Sequence, residues 1–339
     1  MKTASGSRAK TTAIYAFMIT AFFLSMLVSM RFGAVDLSVG DIAGALANGP
    51  GSTEHTIFYK VRLPRVMLGA VAGAGLAMVG AVMQGIFSNP LADPGIIGVS
   101  SGAATGAVLS IALGWATESM FVMPAFAFCG SVCAVALTVF LAMRNGKIPV
   151  MTLLLAGVAV GMLLGAVTSG LLTFMNEQKL QQYLFWMVGG LDYRRWEHVY
   201  MAIGPVSIGI VIMLALSRHL NILVLGETEA RAVGMPVGFY RFFLLAVASL
   251  TTAAGVCISG NIGFVGLVVP HMMRLLTGPD HQRLLPASML AGAAFLVFCD
   301  AFGRFLLPTV EIRAGIMTAF IGTPYFLYLL RKSRSLHQD

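Results

Sequence analysis

Apolar residues in this chain run on for lengths that a membrane crossing needs. The longest stretches cover residues 11–30, 66–86, 120–143, 148–173, 199–216, 242–258, 284–298 and 314–330. A helix crossing a bilayer takes roughly 20 such residues. Shorter apolar runs lie near 95–113 and 262–272. The pattern predicts an all-α polytopic membrane protein of about ten transmembrane helices. Residues 1–339 form one transmembrane domain, because no connection is long enough to hold a soluble one.

Composition sharpens this. Hydrophobic residues make up 58% of the chain and charged residues 11%, and the mean hydropathy is +0.85. A soluble domain carries about 25% charged residues. The formal charge of +8 comes from basic residues scattered over separate connections. They form no basic, aromatic-interleaved stripe of the kind that reads nucleic acid; they report orientation. Lys2, Arg8 and Lys10 precede a first apolar run longer than that of a signal peptide, and no small-residue cleavage site comes after it. The run reads as a retained first helix. An even number of helices then places both termini on one side. Of the 22 lysines and arginines, 13 fall on that side, which makes it the cytoplasm by the positive-inside rule. Residues 1–10 and 331–339 are then cytoplasmic tails.

Cys129, Cys133, Cys257 and Cys299 all lie in apolar runs and read as small packing residues. The six histidines show no metal-ligand spacing, and neither a metal nor a cofactor is expected.

An absence narrows the function. No Asp, Glu, Lys or Arg lies in the middle of any apolar run; Asp300, near one end of its run, comes nearest. Ion-driven carriers keep an ionisable group at mid-membrane, and an intramembrane hydrolase would need a catalytic dyad there. The chain also lacks a phosphate-binding loop: Gly146 and Lys147 are followed by Ile148, with no glycine-rich turn before them. No catalytic residue is expected. If the protein transports, a partner supplies the energy.

Glycine, at 38 residues, is concentrated in the runs. Gly69 and Gly73 make a small-xxx-small pattern that lets helices approach closely. Elsewhere glycine joins proline to break helices, as in SNPLADPGIIGVSSGAATG and, in the second half, SGNIGFVGLVVPHMMR. Irregular backbone at membrane depth has to be shielded by protein or line a cavity. The segment 218–241, RHLNILVLGETEARAVGMPVGFYR, is polar and reads as two short helices joined by a glycine turn. It suits either a solvated loop or a docking element for a cytoplasmic partner.

The stretch YKVRLPRVM poses a separate question. Arg62 and Arg65 flank Pro64 just ahead of a long apolar run. Cations are disfavoured in the first turn of a helix, so something outside that helix should attract them.

Three stretches carry a family resemblance. They are RLPRVMLGAVAGAGLAMVGAVMQGIFSNPLADPGIIGVSSGAATGAV, GNIGFVGLVVPHMMRLLTGPDHQRLLP and GIMTAFIGTPYFLYLLRK. In order and spacing they resemble the membrane subunits of the FecCD family, over nearly the whole chain beyond the first helix. The resemblance implies the type II permease fold of an ATP-binding-cassette importer in the cell inner membrane. Each subunit would have ten helices. Two of them, as a homodimer or a paralogous heterodimer, would flank a central pathway. Two cytoplasmic ATPase subunits and a periplasmic substrate-binding protein would complete the assembly, so the permease itself is not an enzyme. The substrate implied is a ferric siderophore, with haem or vitamin B12 (cobalamin) as alternatives. The residues alone also admit a stand-alone carrier or channel.

The resemblance also assigns roles. Arg62, Arg65 and, in DAFGR, Arg304 would meet acidic side chains of the binding protein; the other reading is snorkelling to lipid phosphates. Where the family has Glu-Leu-Pro, this chain has Glu311-Ile312-Arg313, so Arg313 becomes a fourth outward cation or a local partner of Glu311. The coupling element that sits in the ATPase would include Gly226, Glu227, Glu229, Ala230, Arg231, Gly234 and Pro236. The pathway would be lined by the 66–84 helix, with Gln84, and by 148–173 together with the residues just after it, through Met162, Thr168, Ser169, Thr173 and Met175. That surface is neutral, fit for a large ligand handed over rather than gripped.

Overall fold

The computed structural model describes residues 2–33, 35–47, 49, 51–144, 148–307 and 310–335. Gly146, Lys147 and the end of the chain after residue 335 lie outside them. Each of the ten apolar runs is helical: Lys2–Arg31, Thr53–Ile86, Val99–Ala112, Val122–Ala142, Val150–Thr173, Trp196–Ala215, Val237–Ser259, Val265–Thr277, His281–Leu306 and Ala314–Ser335. Among the described residues, seven helices are long and apolar enough to cross a membrane, and Val99–Ala112 and Val265–Thr277 are shorter apolar helices. Residues 2–10 and 331–335, expected as tails, continue the first and last helices.

Thr53–Ile86 is the axis of the molecule. It begins ten residues ahead of Leu63, with the Ser52 hydroxyl capping it by accepting from the His55 N–H at 3.1 Å. A π turn, Ile57–Arg62, carries the helix past Pro64: Leu63 donates to the Phe58 carbonyl, five residues back. Proline lacks an N–H and crowds the preceding turn, and a wide turn just before it lets the helix continue. Arg62 and Arg65 are therefore deep in a long helix, not in a first turn, and the helix dipole does not disfavour them there.

Around this axis pack His281–Leu306, Val237–Ser259, Trp196–Ala215 and Val265–Thr277. The contact with His281–Leu306 is backbone to backbone. A Cβ on Gly73 would run into the Gly292 carbonyl, and one on Gly292 into that of Gly73. Such close approach lets dispersion contacts and weak Cα–H bonds hold helices where lipid offers no hydrophobic drive. At the opposite extreme, only 17% of the apolar window of Val150–Thr173 is buried. Met151, Leu155, Val158, Met162 and Leu163 all point away from the subunit. Of the cysteines, Cys257 and Cys299 are buried in the packing, while Cys129 and Cys133 face outward.

Candidate functional site at the arginine end and the coupling end

None of Arg62, Arg65 and Arg304 exposes more than 7% of its surface. Arg65 reaches across to His281–Leu306 and forks onto Asp300, with Nε 2.9 Å from Oδ2 and Nη2 2.9 Å from Oδ1. Its Nη1 takes Glu311 Oε2 at 2.8 Å. Arg304, one turn beyond Asp300, lies 3.3 Å from the same carboxylate. It also donates to Ser29 Oγ and to the Phe32 carbonyl, each at 2.6 Å. Arg62 donates to the carbonyls of Met30 and Val35.

These partners answer the question raised by the two arginines. The last carbonyls of a helix have no partner inside it and carry the negative end of its dipole. Here Arg62 and Arg304 cap the C-terminus of Lys2–Arg31, while Arg65 neutralises Asp300 through a bidentate pair. The three side chains are committed within the fold, and direct contact with a partner would require these pairs to open. Arg313 does not pair with Glu311. It meets Asp192 at 2.8 Å, with its guanidinium 4.6 Å from the centre of the Phe185 ring. The helix that brings Phe185 there, Glu177–Val188, escaped the apolar pattern because its first half, EQKLQQY, is polar.

At the other end the polar segment forms two short helices, Ser217–Val224 and Glu227–Ala232. The turn between them is at Gly226 (φ +122), and a second at Gly234 (φ +81) leads through Pro236 into Val237–Ser259. Ala230 is fully buried and Met235 nearly so, which seats the segment on the bundle. Glu227 pairs with Arg231 and, at 3.3 Å, with Arg241. Glu229 is exposed, and so are the apolar side chains of Leu225, Val233 and Phe239 in the same part of the chain, at 62–68%. A joint unseen in the sequence ties this segment to the start of His281–Leu306. The Asn221 amide donates to Asp280 at 2.7 Å, and its Oδ1 accepts from the His281 N–H at 2.8 Å.

The sequence of this chain matches the FecCD transport family over residues 19–332. The chain belongs to that family. Among curated relatives, it is 44% identical to a cobalamin import system permease protein, BtuC, of Halobacterium salinarum, over 95% of this chain and 88% of the relative. It is 35% identical to the hemin transport system permease protein HmuU of Yersinia pestis, over 96% and 98%. It is 37% identical to the Fe(3+)-citrate import system permease protein YfmD of Bacillus subtilis, over 98% and 99%. A solved metal-chelate type ABC transporter in an inward-facing conformation superposes with a TM-score of 0.84 at 34% identity, covering 95% of this chain and 99% of the other.

In this FecCD permease the expected pathway residues separate. Met162, Ser169 and Thr173 lie on the open face of Val150–Thr173, and Met175 is half-buried just beyond it. Thr168 turns inward, its hydroxyl 3.0 Å from that of Thr105. Gln84 is 2% exposed and donates to the Leu267 carbonyl at 3.2 Å. It ties the axial helix to Val265–Thr277 inside the subunit.

Proposed function

We propose that this permease moves a chelated metal across the cell inner membrane, with cobalamin as its cargo. The relative named for cobalamin import is 44% identical, against 37% for the one named for Fe(3+)-citrate and 35% for the one named for hemin. A ferric siderophore, the cargo first expected, is the second reading, supported by the Fe(3+)-citrate relative.

The observation that carries the importer mechanism is the coupling segment. A bundle with no ionisable group at the middle of its apolar runs has no ion to exploit. Exposed apolar side chains stand at the ends of its short helices, Leu225 and Val233, and in the first turn of Val237–Ser259, Phe239, on a segment anchored by Ala230 and Met235. That surface is read as the seat of a cytoplasmic ATPase; on that reading both termini are cytoplasmic and the arginine end is outside. The open face of Val150–Thr173 is read as facing a second permease across a neutral pathway. Closing of the ATPase pair on ATP would displace the segment, and no bond in the cargo changes.

Uptake by the reconstituted complex, with labelled cyanocobalamin, haem and a ferric siderophore in parallel, tests the cargo. ATP-dependent accumulation of cobalamin alone is the expected result. Accumulation of the siderophore alone would move the assignment to the second reading.

A further inference from the structure

A cleft of about 410 Å³ opens between Val122–Ala142 and Val237–Ser259. It runs from Ser131 and Leu250 at one end to Met143 and Phe242 at the other. Its floor is closed, because Ser131, Val139, Leu245 and Ser249 are buried. Its rims are open, with Phe140 76%, Met143 47% and Phe242 45% exposed. The residues described along it offer no free polar side chain. The Ser131 hydroxyl donates to the Val99 carbonyl at 3.0 Å, and the Ser249 hydroxyl to the Leu245 carbonyl at 2.6 Å. Water finds no partner in such a cleft, and left empty it forfeits the dispersion contacts of its walls.

Length and charge point to what fills it. From Ser131 to Met143 a helix rises about 18 Å. The hydrocarbon of one leaflet is about 15 Å deep, half of the bilayer core. The cleft reaches the end of the bundle that carries the coupling segment, where Arg241, next to Phe242, pairs with Glu227 at 3.3 Å. There the apolar lining stops and Arg144 follows. Arg144 is exposed, and among the described residues it takes part in no ion pair. Arg241 is not available in the same way, since Glu227 and the Ile148 carbonyl hold it. An apolar slot about one leaflet deep, with an uncommitted cation at its mouth, complements an acyl chain below a phosphate.

We propose that this cleft holds one acyl chain of an anionic phospholipid from the leaflet at the coupling end, with the headgroup phosphate on Arg144. The chain lies on the floor between Ala136 and Ala246, which both line the cleft, and Phe140 and Phe242 flank it. Seated there, it fills the gap between Val122–Ala142 and the helix into which the coupling segment leads. The site is separate from the open face of Val150–Thr173, so the cargo does not compete for it.

The test uses the full-length permease in phosphatidylcholine nanodiscs containing a small share of phosphatidylglycerol with a photoreactive group on one chain. Irradiation and peptide mapping should place the label on residues 131–143 and 242–250. The same probe built on phosphatidylcholine should label them several-fold less. Ala136→Phe combined with Ala246→Phe fills the slot and should abolish this labelling, with monodisperse elution as the check that the variant folds. Arg144→Gln, a surface change, should leave the labelled positions as they are and bring the phosphatidylglycerol probe down to the level of the phosphatidylcholine probe. The map on the wild type and the Arg144→Gln comparison decide the matter even without the filled variant. Label spread evenly over every outward-facing helix, or undiminished in the folded double variant, overturns the proposal. Equal labelling of the wild type by the two probes overturns it as a site for an anionic lipid. A crosslinker that joins two copies through these peptides overturns it in favour of a protein contact. None of these outcomes bears on the cargo or on ATP coupling, which stand or fall by the uptake assay.

Discussion

The Arg65 guanidinium holds both carboxylate oxygens of Asp300, 235 residues further along the chain. Both side chains are at least nine-tenths buried. Desolvating two charges costs several kcal/mol each, and only their mutual attraction and full hydrogen bonding offset that cost.

Breaking this pair should therefore destabilise the fold. Arg65→Ala leaves Asp300 buried beside Arg304 alone, and Asp300→Ala leaves two facing arginines. Each should cost about 3–5 kcal/mol, read as a fall in thermal midpoint of the purified permease. An Arg65→Ala protein that melts with the wild type would show the guanidinium to be free for other work.

The Gly73–Gly292 contact predicts a graded series. Gly73→Ala should lower stability, and Gly73→Leu should prevent the axial helix from closing on His281–Leu306, seen as aggregation on size exclusion. Gly165→Leu is the control, since a Cβ there meets nothing within 4 Å. Equal yields of the two leucine variants would show that the close approach is not needed.

Gly234 combines a φ of +81 with open space around its missing Cβ. The cost of a side chain there is purely conformational, about 1–2 kcal/mol. Gly234→Val should leave membrane insertion intact while reducing co-purification with the ATPase. Gly234→Asn should be tolerated, because asparagine visits this conformation readily. Loss of the ATPase with both variants, or with neither, contradicts the backbone explanation.

Energy coupling gives the broadest test. With no phosphate-binding loop and no ionisable group at mid-run, the isolated permease in liposomes should neither hydrolyse ATP nor pass cargo. Flux driven by a proton or sodium gradient, with no ATPase present, is the outcome that excludes an ATP-driven importer.

These features were unequally legible in the sequence. The ten helices could be read because twenty apolar residues in a row have few other uses. The start of the axial helix could not, because Pro64 ordinarily marks a beginning and the π turn before it leaves no pattern. Glu177–Val188 was hidden by its polar first half. The arginines stood out, but their partners did not. Asp300, Ser29 and the carbonyls of Met30 and Val35 lie far off in sequence, and carbonyls have no letter in it. Asp300 was the one clue, as the acid that comes nearest to the middle of an apolar run. Gly234 reads from the sequence as the turn between the short helices; the structure puts that turn at Gly226, and Gly234 instead leads from the second short helix toward Val237–Ser259, because proline and glycine together mark a break without saying which helices it divides.

The joint at Asn221 has a mechanical corollary. It grips the first residues of His281–Leu306, the same helix that carries Asp300 and Arg304 near its far end. At 1.5 Å per residue that helix is about 39 Å long. Its proline, Pro286, lies in the second turn, where it interrupts little. This helix is thus held near both of its ends, by Asn221 at one and by Arg65 at the other. A displacement of the segment before Gly226 would pass into this helix with no loop between them, toward the end where Arg304 holds the C-terminus of the first helix.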